Sequence, residues 1–169
     1  MAKLTTIQAG DLLVYPWKNG RPGHIALVVT NTNLIVGYGD AAADRALQWV
    51  GKGIYGLGKG GLKPGRAGPL DKEGKCDCSG FVTWAWGVPR YDGENWHNTS
   101  FIYADARGKQ EFYQLVEPDV DFAKLDIVHC HGPSPSARRP NPPPAISKGT
   151  GLLWKKKNGI VCRPRLTNS

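Results

Sequence analysis

The chain has 169 residues, 40% of them apolar, enough for one domain with a hydrophobic core over residues 1–169 and too many for disorder throughout. No run of about 18 apolar residues occurs, so the sequence carries no membrane-spanning helix. The formal charge of +8 favours a polyanionic partner, which includes nucleic acid, an anionic membrane or a bacterial wall with acidic polymers.

Residues 1–11 lack the basic-then-apolar layout of a secretory signal, so the expectation is synthesis and retention in a cytoplasm until something releases the protein. Residues 10–29 read as two strands around a turn: an apolar run at 12–15, turn formers Pro16, Gly20, Pro22 and Gly23, then a second apolar run at 24–29. A third short strand is expected over 34–36. Residues 41–50 read as a short helix capped by Asp40. The glycine-rich stretch 51–74 reads as a long loop. Residues 79–86 carry apolar side chains at helical spacing, and Gly87 with Pro89 ends that helix. A further short helix is expected around 100–105 and a strand over 125–130. Six prolines in 133–144 mark an extended loop, and 151–165 suggests a final hairpin turning at Asn158-Gly159. The run Lys155, Lys156, Lys157 reads as a solvated face. The four cysteines are too few for a disulfide scaffold in a chain of this length.

The chemistry-bearing block is Asp77-Cys78-Ser79-Gly80-Phe81-Val82, after the glycine-rich loop and at the start of a helix. A cysteine there sits among unpaired backbone N–H groups at the positive end of the helix dipole. That setting favours thiolate and can bind an oxyanion, and the small Ser79 and Gly80 leave room for a carbonyl to approach. A nucleophilic cysteine needs a base, and the base needs an orienting group. His24 opens a predicted strand; His129 and His131 lie on or just past another; His97, in the polar segment Asn95-Trp96-His97-Asn98, has the weakest claim. The indoles of Trp84, Trp86 and Trp96 read as core or cleft wall.

This combination resembles the NlpC/P60 superfamily of peptidoglycan peptidases and amidases. The 77–82 block looks like its nucleophile motif and Ile54-Tyr55-Gly56-Leu57-Gly58 like its tyrosine segment. The Gly10-Asp11-Leu12 strand, the Gly23-His24-Ile25-Ala26 strand and the Ile127-Val128-His129 strand look like its remaining segments. Segment order differs: here the His24 strand precedes the cysteine block, as in permuted members such as the lecithin retinol acyltransferase-like group, yet a further histidine strand follows it. The resemblance implies an α+β, papain-like fold of non-standard or permuted segment order, with a small antiparallel sheet packed against the nucleophile helix. It implies Cys78 as nucleophile, His24 as base and acid, and His129 as orienting group with His131 as rival. Tyr55, Ser79 and Asp77 are implied on the substrate or oxyanion side, with no metal or other cofactor.

The implied reaction is cleavage of a stem-peptide amide in bacterial peptidoglycan, by a phage-delivered or secretion-machine-delivered enzyme that anionic wall polymers attract through charge. Two other readings stand beside it. A lipid acyltransferase shares Cys and His but calls for an apolar groove. A small zinc module would use Cys76, Cys78, His129, Cys130 and His131, although their one-residue spacings are narrower than the usual zinc pattern. The basic residues are scattered and match no nucleic-acid-binding motif.

Overall fold

The computed structural model describes residues 4–29, 38–117, 121–133 and 142–165. The expected strand over 34–36 and most of the proline-rich loop lie outside them. In chain order the elements are β1 (Leu12–Tyr15), β2 (His24–Val28), α1 (Tyr38–Leu47), β3 (Ile54–Tyr55), β4 (Lys75–Cys76) and α2 (Cys78–Trp86). There follow β5 (Tyr91–Asp92), β6 (Asn95–Trp96), α3 (Thr99–Arg107), β7 (Tyr113–Val116) and a 3-10 turn at Phe122–Lys124. The chain closes with β8 (Asp126–Cys130), β9 (Ile146–Thr150), α4 (Leu152–Lys156) and β10 (Ile160–Pro164).

The architecture is mixed α+β. Among the described residues, β7-β10-β1-β2-β8-β9 form one six-stranded sheet, antiparallel at every pairing. Side chains alternate across each strand, so each sheet face builds its own core. On one face Leu12, Val14, Ile25, Leu27, Val128 and Cys130 meet Phe81, Val82 and Ala85 of α2, Ile102 of α3 and Ala42 of α1. On the other, Leu13, Ala26, Val28, Ile127 and Val161 meet Trp154 of α4. With both faces covered, β1 and β2 are apolar runs rather than alternating ones, which is how they read in the sequence.

Helix α2 is buried along its whole length. Arg45 of α1 donates from Nε to the Ala85 carbonyl at 2.6 Å, and the Trp86 indole N–H donates to the Gly10 carbonyl at 2.8 Å. Gly87 closes the helix at φ 70°, the left-handed conformation that glycine adopts without strain.

Several expectations need correction. Helix α1 starts at Tyr38, so Asp40 sits in its first turn rather than at its cap. The final hairpin is instead helix α4 followed by β10, because Leu152, Leu153 and Trp154 turn an indole into the second core. Asn158, at φ 52°, does reverse the chain there, but between helix and strand. The 51–74 segment contains β3, which pairs in parallel with β4. Trp96 is exposed and stacks on Tyr91, with ring centroids 5.9 Å apart, rather than lining core or cleft. His97 is buried, its Nδ1 2.8 Å from the Tyr113 hydroxyl, among Phe101 and Phe112.

Candidate active site around Cys78

The N-terminus of α2 is built by the glycine-rich loop. Asp77 caps the helix, accepting from the Gly80 N–H at 2.8 Å through Oδ1. Its other oxygen accepts from the Gly58 N–H at 2.7 Å and pairs with the buried guanidinium of Arg90. Arg90 also donates to the Lys59 carbonyl at 2.7 Å, and the Asp77 N–H donates to the same carbonyl at 3.1 Å. Asp77 is therefore occupied in holding loop to helix. The Ser79 hydroxyl is turned inward as well, donating to Asp77 Oδ1 at 3.2 Å. Gly80 is small for a packing reason rather than for substrate approach. A Cβ there would stand 2.7 Å from an Arg90 nitrogen and 2.9 Å from the Lys59 carbonyl oxygen.

Cys78 begins α2 and is 5% exposed. Its thiol lies against the backbone N–H groups of Ile25 and Ser79 and its own. These favour thiolate, yet burial, then the Asp77 charge, outweigh them and push the thiol up to about 12. The helix-start setting thus does not deliver the depressed thiol expected from the sequence, because desolvation exceeds what the amides return. The phenols of Tyr55 and Tyr15 feel the same thiol electrostatically. Burial, followed by a Cys78 negative charge, raises both above the ordinary phenol range.

His24 is the first residue of β2, and alternation places it on the Ala26 face, opposite the α2 core. Its ring stacks on the Trp154 indole, centroids 5.2 Å apart and planes 23° from parallel. Its Nε2 is 2.9 Å from His129 Nδ1. The His129 ring in turn stacks on His131 at 4.5 Å. His131 Nδ1 donates to the Gly132 carbonyl at 2.9 Å, and its Nε2 lies 3.0 Å from the Ser147 hydroxyl. Burial first, then the charges of the neighbouring histidines, lowers His24 to about 3 and His129 to about 4. Both rings are therefore neutral at pH 7.

Thus the structure joins His24 to His129 and brings Cys78 to the amide next to His24. No hydrogen bond joins the Cys78 sulfur to a histidine among the described residues, and His24 Nδ1 has no hydrogen-bond partner there. Nor do the described residues contain a metal-holding group of three or more His, Cys, Asp or Glu side chains. None of their helices is long and apolar enough to cross a membrane.

Tyr15, Arg90 and Trp154 also lie at the site, and no sequence motif marks them. Tyr15 carries a local signal, since it faces His24 across the β1–β2 register. Arg90 and Trp154 carry none, because each reaches the site only through tertiary packing. Beside Tyr15 opens a cavity of about 510 Å³ lined by Pro16, Lys18, Asn19, Arg21, Pro22 and Lys157. Its three cations face no carboxylate among the lining residues, so Lys157 is cavity wall as well as solvated surface.

No protein-family model, no curated protein and no solved structure matches this chain.

Proposed function

We propose that the protein is a thiol hydrolase of papain-like, NlpC/P60 type, cutting an amide of the peptidoglycan stem peptide. The observation that carries this reading is the amino-terminal end of β2. A thiol at a helix start lies near the Ile25 amide, and the preceding residue is a neutral histidine whose Nε2 is engaged by His129 while Nδ1 has no hydrogen-bond partner among the described residues. The resemblance of the 77–82, 54–58 and 23–29 segments to that superfamily supplies the substrate class.

In the proposed reaction Cys78 passes its proton to His24 Nδ1 as the sulfur attacks the amide carbon. This role requires the tautomer in which His24 Nε2–H donates to His129 Nδ1. The resting rings stand on the far side of β2 from the α2 core, so this transfer requires the His24 ring to reach the thiol around the amino-terminal end of β2. The Ser79 N–H and the Tyr55 hydroxyl stabilise the oxyanion. His24 then protonates the leaving amine, and afterwards activates the water that frees Cys78 from the thioester. A high thiol pKa fits a site that forms its nucleophile only with substrate bound. The cationic cavity beside Tyr15 suits acidic wall polymers.

The test is incubation with purified peptidoglycan and mass analysis of the fragments. Wild-type protein should create new amine and carboxyl ends, and Cys78→Ala and His24→Ala proteins should release none. Undigested wall together with acyl release from lipid vesicles would move the assignment to the lipid-acting group.

A further inference from the structure

Two cysteines outside the proposed chemistry lie together in the first core. Cys76 ends β4, and Cys130 ends β8. Both are fully buried, and their sulfurs are 3.0 Å apart. That is about 1 Å beyond a disulfide bond, so bonding needs only a small shift of two side chains. Cys76 stands two residues before Cys78, and Cys130 follows His129. Each thiol therefore belongs to a segment that presents a member of the proposed site. The remaining cysteines are placed differently: Cys78 faces the Ile25 amide, and Cys162 pairs across the sheet with Leu12 and Leu115.

We propose that Cys76 and Cys130 are a covalent modification site, oxidised to a disulfide when the chain folds in an oxidising environment. With glutathione disulfide as oxidant, the Cys76 thiolate attacks one of its sulfurs and releases one glutathione. The Cys130 thiolate then attacks the Cys76 sulfur of the mixed disulfide and releases the second. Two protein thiols are oxidised, one glutathione disulfide is reduced to two glutathiones, and the two thiol protons pass to the departing thiolates. Exchange takes place before the core closes, because the folded protein gives neither sulfur a path to solvent. The crosslink ties the base of the Cys78 helix to the His129 strand and closes a loop across 54 positions. It holds whether or not the hydrolase reading does.

The experiment is refolding of the full chain in a glutathione redox buffer and, separately, in dithiothreitol. Intact mass, denatured thiol titration and peptide mapping follow. Cleavage before Asp77 separates Cys76 from Cys78, so the linkage is read without ambiguity. The glutathione sample should be about 2 Da lighter, retain two thiols and contain a Cys76–Cys130 peptide pair. It should also melt about 5–10 °C above the dithiothreitol sample. A Cys130→Ala chain should lose the link and a Cys78→Ala chain should keep it. Four free thiols after glutathione refolding, or a link through Cys78 or Cys162, overturns the proposal. That map on the wild-type chain decides the question even where a variant does not fold.

Discussion

At the scale of single residues, the main electrostatic fact is that Cys78 and His24 are both held neutral by burial. The sequence placed Cys78 at a helix start, where free N–H groups favour thiolate. It carried no information on how completely the core around α2 would exclude water. The consequence is measurable by iodoacetamide labelling followed by peptide mapping. Because burial pushes the Cys78 thiol up to about 12, labelling of Cys78 should be slow at pH 7. It should climb about tenfold per pH unit through alkaline pH, following the thiolate fraction. A fast rate that is flat between about pH 7 and pH 9 would mean a thiolate already formed in the resting protein.

At the scale of elements, α2 is fully legible in the sequence. Its apolar spacing, its Asp77 start and its Gly87 stop all lie within a few residues of one another. What the spacing did not contain was the clamp around that start, in which Gly58, Lys59 and Arg90 converge on Asp77 from two separate segments. Asp77→Ala removes the cap and leaves Arg90 charged, 4% exposed and without its carboxylate. The loss should be about 3–5 kcal/mol, the range for breaking one side of a buried ion pair. Denaturant unfolding measures it, and a change below about 1 kcal/mol would reduce Asp77 to an ordinary cap. The β1–β2 pair was equally legible, because turn formers separate two apolar runs. Helix α4 was misread as a strand because five residues, Leu152–Lys156, are too few for helical periodicity to declare itself.

At the scale of the whole molecule, the two faces of the sheet differ in character, and acid should expose the difference. His24 and His129 are held near 3 and 4, whereas free imidazole titrates near about 6.5. Their folded values lie below their unfolded ones, so the unfolded chain binds the extra protons. The stability they allow is therefore present in full above about pH 6.5 and falls as pH drops toward the folded values. Each contributes a slope of up to about 1.4 kcal/mol per pH unit. Melting temperatures should decline between about pH 6.5 and pH 4, and a flat profile there would show that the pair protonates without cost.

The amino-acid order by itself determined the features that depend on near neighbours. These are the first hairpin, the Cys78 helix with both of its ends, the strand carrying His129, and the α+β class that strands and short helices imply together. Only the tertiary structure decided which side chains meet. It set His24 on Trp154 and His129, drew Arg90 onto Asp77, buried His97, and brought Cys76 against Cys130. The reason is physical: strand alternation assigns a side chain to one of two faces, but what covers each face comes from segments far along the chain. Burial, which sets the protonation of Cys78 and His24, exists only once those segments have packed.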